Sequence, residues 1–338
     1  MRNILFVIII VLISIFVSCK RNAQPAQETS TTSELSSPVS EYERFFNNTF
    51  DHIENLSIKN RDIDWINLKE TVKDSINSFN NNEDVYNAIG YIIDLINDGH
   101  SIFIPPQDPD KGPITNPLLI DTLSVPSINR QVIANNIGYI KIPGFLANDS
   151  ITAEYTLAIR KALIDIDTTT KLSGWVIDLR NNNGGEITSA SLGLSPLFEE
   201  PLIGILCDNK DTFVNISSIN DCIYWKDIKR DSLSYTSVLN NKNRKIAVLV
   251  NKKTASAGEF LALAFKFQKN TKLFGEKTKG LTSGLRLIDF YRSNAKILLA
   301  TYYCCDKERN ILNVITPDFE CDDEESLEKA IDWIKQHH

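Results

Sequence analysis

The sequence predicts an α/β domain, in which buried strands alternate with amphipathic helices, preceded by a smaller helical region. Three observations carry this expectation. Short, predominantly apolar runs of strand length recur after residue 130, at 137–142, 175–179 and 246–250, and runs rich in Val and Ile suit strands covered on both faces. Between and after them, apolar residues fall at helical spacing, as in helices that cover a sheet. Before residue 100 only the helical spacing appears. With 42% hydrophobic and 23% charged residues, the composition is globular and excludes collagen-like, coiled-coil and wholly disordered chains.

The first 18 residues read as a signal peptide. A single charge, Arg2, precedes an apolar run from Ile4 to Val17, short for a membrane span and right for a signal core. The run ends Phe16-Val17-Ser18-Cys19, which resembles a bacterial lipoprotein box with Phe16 in place of the usual leucine; Cys19 is the residue such a box lipidates. Residues 19–40 then form a polar stretch rich in Ser, Thr, Gln and Pro, a composition that reads as a flexible tether. The combination predicts a membrane-anchored, extracytoplasmic protein facing the periplasm or the cell surface.

Residues 41–100 are expected to form a helical subdomain. Trp65, Leu68, Val72 and Ile76 make one stripe, and Tyr86, Ile89, Ile92, Ile93 and Ile96 make a second that stops at Asn97-Asp98-Gly99. Residues 101–130 hold six prolines and read as an irregular connector. From 131 to 338 the α/β pattern takes over. A strand at 137–142 is followed by a helix over 152–166 with Tyr155, Ile159, Ala162, Leu163 and Ile166 on one face. Strands at 175–179 and 246–250 come next, then a helix over 258–269. A hairpin is expected from 285–291 and 296–303, turning at Ser293-Asn294. A final amphipathic helix over 325–335 presents Leu327, Ala330, Ile331 and Ile334.

The formal charge of −7, without a long Lys/Arg run, argues against nucleic-acid binding. There is no CxxC pair, HExxH or Gly-rich phosphate loop, so no metal or organic cofactor is expected. Apart from Cys19, five cysteines remain, read as structural; a Cys207–Cys222 disulfide is one open pairing.

Three segments carry candidate chemistry. In Asp178-Leu179-Arg180-Asn181-Asn182-Asn183-Gly184-Gly185, a Gly-Gly pair just past a buried strand lets the backbone turn sharply and approach a ligand, and its N–H groups can face an oxyanion. The bland alternative is a tight turn. In Thr254-Ala255-Ser256-Ala257-Gly258-Glu259, Ser256 sits at a strand-to-helix junction. It reads either as a nucleophile beside the helix N-terminus, with the Ala257 N–H as oxyanion donor, or as a helix N-cap. In Asp98-Gly99-His100-Ser101, His100 is a candidate base or a structural imidazole. His52 is the other histidine outside the C-terminal pair His337-His338.

Together these segments resemble the C-terminal-processing, or tail-specific, serine peptidase family, which includes the tricorn protease core. "DLRxNxGG" stands at Asp178 to Gly185, "TASAxE" at Thr254 to Glu259 and "GExTxG" at Gly275 to Gly280. "IGYIxIPxF" stands at Ile137 to Phe145, "DGH" at Asp98 to His100 and "PD" at Pro317-Asp318, all in the family's order over roughly 45–338. The resemblance implies a ClpP/crotonase-like α/β core with Ser256 as nucleophile. The tail-specific branch places a lysine base where this chain has Leu281, and Lys279 and Lys277 fall two and four positions early. The tricorn-like branch uses a histidine, matching His100. That branch's glutamate position is Ile311 here, so the acid stays unassigned, with Asp306 or Glu308 as substitutes if the loop shifts. Losing the orienting acid costs about 10⁴ in rate in a serine protease triad.

Residues 101–136 are too few for the PDZ domain that many members carry, so none is expected. The function so implied is hydrolysis of peptides or unfolded proteins through a Ser256–His100 pair, with Gly184, Gly185 and Ala257 around the oxyanion. The alternatives are a non-catalytic protein binding peptides or apolar ligands on the same fold, and an esterase.

Overall fold

The computed structural model describes residues 40–336, apart from 76–78, 107–123, 148, 170, 236–238, 240–243 and 290–294. The expected signal peptide, Cys19, the tether up to residue 39 and the Ser293-Asn294 turn therefore lie outside the described residues. Residues from Ser40 onward group as one compact unit.

The described residues open with three helices: α1 (Glu41–Leu56), α2 (Trp65–Ser75) and α3 (Asn82–Ile96). Side chains set their starts, Ser40 accepting from the Glu43 N–H at 3.0 Å and Asn81 from the Asp84 N–H at 3.0 Å, as N-caps do. Asn97, in a left-handed conformation, ends α3. Then come β1 (Ile102–Ile104), β2 (Arg130–Ile133), β3 (Ile137–Lys141), α4 (Asp149–Thr169), β4 (Gly174–Asp178) and α5 (Ile187–Leu194). Four strands follow: β5 (Leu202–Asp208), β6 (Phe213–Ile219), β7 (Cys222–Trp225) and β8 (Ile228–Ser232). The chain closes with β9 (Lys245–Val250), α6 (Ala257–Lys266), β10 (Thr271–Gly275), β11 (Ser283–Asp289), β12 (Lys296–Cys305), β13 (Phe319–Glu320) and α7 (Asp323–Lys335).

The strands make two sheets. One runs β13-β10-β9-β4-β3-β2 and is parallel from β13 to β3, β2 closing it antiparallel. The runs read as buried strands occupy its centre: β4 is buried at every residue and β9 at all but its first. In the other sheet β11 pairs along β12 on one side, β1 and β5 pair with the two ends of β12 on the other, and β5 continues through β6 and β7 to β8. Helices α4, α5 and α6 pack between the two sheets in the main core around Trp175, Phe260 and Phe265. Helix α7 covers the other face of the parallel sheet through Ala330 and Ile334.

The first three helices do not close a core alone. Phe46, Phe50, Trp65 and Ile89 pack with Ile297 and Leu299 of β12, and β1, from the expected connector, pairs with the same strand. The five cysteines described are free. A Cys207–Cys222 bridge is ruled out by topology: β6 separates β5 from β7, which puts these strands about 10 Å apart, beyond the reach of a disulfide. Among the described residues no helix is long and apolar enough to cross a membrane.

Candidate active site

The site lies at the carboxyl ends of β4 and β9, where open parallel sheets place their ligands. Both strands are pinned just before they turn. The Asp178 carboxylate is fully buried. It accepts from Arg180 Nε at 3.0 Å and Nη2 at 2.7 Å and from the Tyr139 hydroxyl at 2.7 Å. Arg180 reaches on to the Asp323 carbonyl at 2.9 Å, tying the strand end to α7. Burial, followed by the hydrogen bond to Asp178, pushes the Tyr139 hydroxyl well above its ordinary pKa. The first half of the Asp178–Gly185 segment is therefore a scaffold.

The two turns after the strands are joined by amides and hydroxyls. The Asn182 carbonyl accepts from the Ala255 N–H at 2.8 Å, and Thr254 Oγ1 donates to the Leu179 carbonyl at 2.9 Å. Asn251 Oδ1 accepts from the Asn181 N–H at 3.1 Å. Gly184 then passes directly against Ser256: a Cβ built on it would lie 2.8 Å from Ser256 Cβ and 3.2 Å from Oγ. Its φ of 113° and that of Gly185, 135°, are values L side chains rarely adopt.

Ser256 has φ 52° and ψ −117°, a strained backbone for a residue with a side chain. It immediately precedes α6, and its N–H donates to Glu259 Oε2 at 2.9 Å. The Glu259 carboxylate, buried at 1% exposure, also accepts from the Gly280 and Leu281 N–H groups, both at 2.8 Å, and from Thr278 Oγ1. This one carboxylate clamps the turn that carries Ser256 to the segment 278–281.

The N–H groups around Ser256 are not equivalent. That of Gly184 donates to Asn182 Oδ1 at 3.0 Å. The neighbouring backbone bonds run from Phe145 N to the Gly184 carbonyl and from Glu186 N to the Phe145 carbonyl, and they leave the Gly185 N–H out. The Ala257 N–H opens α6, where helical N–H groups have no intrahelical acceptor.

His100 is buried at 3% exposure on the loop after α3. Asp98 Oδ1 accepts from the His100 N–H at 2.9 Å and the Ser101 N–H at 2.6 Å. Ser101 Oγ accepts from the Ala300 N–H at 2.9 Å and so docks the loop on β12. Imidazole Nδ1 lies 2.7 Å from Ser283 Oγ. Nε2 is buried without a hydrogen-bond partner, so no hydrogen bond joins it to Ser256. Burial holds the imidazole pKa below its ordinary 6.5, and the Lys279 charge lowers it further, against the opposing pull of Asp98 and the Ser283 backbone. Lys279 comes from the clamped segment, and its own N–H donates to the Thr254 carbonyl at 2.9 Å.

Neither substitute acid reaches the ring. Asp306 closes its own turn, accepting from Asn310 N at 2.7 Å and Nδ2 at 2.9 Å. Glu308 is exposed, as is Ile311 at 48%. The structure thus brings Ser256, Gly184, Gly185 and Ala257 together, pairs His100 with Ser283, and leaves Asp306 and Glu308 apart. Sequence reasoning missed the roles of Asn182, Glu259 and Ser283. Ser256 and Glu259 stand three apart, the spacing of a capping box, which signals the Glu259 half of the clamp. Among the described residues no group of three or more His, Cys, Asp or Glu side chains is placed to hold a metal ion.

Comparison with known proteins bears on the family and the fold. The sequence model of the family described as Peptidase family S41 matches residues 136–321. The chain is 31% identical over 209 residues to the nisin-resistance protein of Lactococcus lactis subsp. lactis, covering 60% of this chain and 61% of that protein. It is 30% identical over 196 residues to the carboxy-terminal processing protease CtpA of Bacillus subtilis (strain 168), covering 56% of this chain and 35% of that protein. The match thus takes in less than two thirds of either relative. Among solved structures, a lipoprotein from Streptococcus agalactiae superposes with a TM-score of 0.71 at 21% identity, over 90% of this chain and 99% of that one. The photosystem II D1 C-terminal processing protease gives a TM-score of 0.59 at 15% identity, over 88% of this chain and 98% of that one. Both share the mixed α/β fold.

Proposed function

The chain belongs to peptidase family S41, and from that premise we propose that it hydrolyses peptide bonds through an acyl-enzyme on Ser256, with His100 as general base. The observation that carries the reading is the backbone of Ser256. A serine held at φ 52° and ψ −117° before a helix, with glycine backbone packed against its Cβ, has the strained strand-to-helix turn that exposes a nucleophilic hydroxyl.

In this mechanism Ser256 Oγ attacks the scissile carbonyl while His100 Nε2 takes its proton, and a neutral imidazole is the form that can do so. The N–H groups of Ala257 and Gly185 receive the oxyanion. The imidazolium returns its proton to the leaving amine, and water, deprotonated by the same ring, releases the acyl group and restores Ser256. Since Nε2 has no partner in the resting structure, substrate binding has to close the gap between ring and hydroxyl, as catalytic hydrogen bonds commonly tighten in the bound complex.

The substrate is a peptide or an unfolded protein, and a lipid on Cys19 would hold the domain at a membrane on its extracytoplasmic side. The nisin-resistance relative makes nisin a second substrate to test beside casein. A non-catalytic ligand-binding reading is favoured by one observation, the unpartnered Nε2 with no carboxylate on the ring. Fluorophosphonate labelling and casein hydrolysis by the full chain decide between them. Wild type is expected to label at Ser256 and to cut, with both lost in Ser256→Ala. A wild-type protein that neither labels nor cuts overturns the peptidase.

A further inference from the structure

We propose that Ser283 is the positioning residue of His100: its hydroxyl accepts the imidazole Nδ1–H and leaves Nε2 as the unprotonated nitrogen, the task a carboxylate performs in a serine protease triad. The inference rests on the peptidase reading above and adds to it a residue that none of the sequence motifs contains.

The two oxygen and nitrogen atoms lie 2.7 Å apart, a full hydrogen bond. Its direction follows from the other end of the ring. If the hydroxyl donated to Nδ1, the hydrogen of the neutral ring would sit on Nε2, which is buried and has no partner. A buried N–H without an acceptor is among the rarest and costliest defects in a folded protein. With the hydrogen on Nδ1, what remains at Nε2 is a lone pair awaiting a donor, and the hydroxyl of Ser256 is the donor that catalysis brings.

The carboxylate beside the ring and the acid expected from sequence are both engaged elsewhere. Asp98 spends Oδ1 on the His100 and Ser101 N–H groups and Oδ2 on the Ser101 hydroxyl at 2.5 Å. Asp306 is closed into its turn. The charged groups facing His100 are therefore Asp98 on its own loop and Lys279 on the clamped segment, and neither replaces Ser283 at Nδ1.

Ser283 is itself firmly placed. It opens β11 opposite Tyr303 of β12. Next to it the Thr282 carbonyl accepts from the Cys304 N–H at 3.0 Å, and Thr282 Oγ1 donates to the Leu312 carbonyl at 2.5 Å. One residue earlier, the Leu281 N–H is held by Glu259, the same carboxylate that holds the Ser256 N–H. Base and nucleophile are thus aligned through one short stretch of chain, residues 281–283.

The test uses the full chain labelled with ¹⁵N-histidine, as wild type, Ser283→Ala and Ser283→Thr, with the His100 signals assigned by their loss in His100→Gln. Wild type and the threonine variant are expected to show the Nδ1–H tautomer, and the alanine variant a population moved toward Nε2–H. On casein, Ser283→Ala should lower kcat by about tenfold or more, part of the 10²–10⁴ that a general base contributes, with KM little changed and recovery in Ser283→Thr. An unchanged tautomer in Ser283→Ala overturns the proposal. Absence of hydrolysis by wild type overturns the peptidase reading instead, while the tautomer comparison still decides the role of Ser283.

Discussion

Glu259 joins the nucleophile turn to the segment that faces the base: its Oε2 accepts from the Ser256 N–H at 2.9 Å and from the Leu281 N–H at 2.8 Å. With four donors converging on a side chain that is 1% exposed, the carboxylate is an organising centre of the site. Glu259→Gln keeps the shape but turns an NH₂ toward N–H groups that need an acceptor. Each buried donor left unsatisfied costs about 1–3 kcal/mol, so the variant should lose at least about 2 kcal/mol in chemical denaturation and label poorly at Ser256.

Gly184→Ala tests the contact with Ser256. The added Cβ would meet Ser256 Cβ at 2.8 Å on a backbone of φ 113°, so the turn must shift. A displacement of the order of 1 Å at a reacting group costs about 10² in rate, and a comparable fall in kcat/KM and in the rate of fluorophosphonate labelling is expected. Labelling at the wild-type rate would show that the turn has slack.

The acids considered from sequence should be dispensable. Asp306→Asn and Glu308→Gln remove carboxylates that do not reach His100, and each variant should keep kcat/KM close to wild type on casein. A large loss in either would mean that the 306–310 turn moves to the ring when substrate binds.

The depressed pKa of His100 has a defined sign in both stability and rate. The unfolded chain takes up the proton near the ordinary value of 6.5, and the folded chain takes it up only at lower pH. Neutral His100 therefore contributes stability above that value, and the contribution fades as pH falls through the folded pKa. Thermal unfolding followed against pH should show this slope in wild type, and His100→Gln should lack it. Hydrolysis should likewise hold its rate at pH values where an ordinary histidine base is already protonated.

Arg180→Ala should be among the most destabilising changes at the site. It strips a fully buried Asp178 of its cation, and breaking a buried pair from one side costs about 3–5 kcal/mol. A shift in the denaturation midpoint measures it.

The parts of the fold governed by local pattern were legible in the sequence. The run at 175–179 marked β4 and that at 246–250 marked β9, because strands buried on both faces must be apolar throughout. The stripe of Tyr155, Ile159, Ala162, Leu163 and Ile166 marked α4 for the same kind of reason. The sheet from β5 to β8 was legible only in part, since the apolar, buried run of β5 carries that signal and the later strands do not. It is inserted between β4 and β9, and β8, Ile228–Ser232, is exposed at every residue. At the site, Ser256 and the two glycines were visible because motif and turn chemistry are local. Ser283 was not, since only the pairing of β11 with β12 and the fold of the distant 97–101 loop bring it to His100, 183 positions away.

The sharing of β12 by the first three helices has a consequence for how the molecule is made. Ile102 pairs with Leu298, and α1 to α3 bury their apolar faces against Ile297 and Leu299. A ribosome adding about 5–20 residues per second delivers those partners some ten seconds or more after the helices themselves have emerged. Throughout that delay the apolar cluster of α1 to α3 lacks the cover of Ile297 and Leu299, so residues 41–100 of the newly made chain expose apolar surface until β12 arrives.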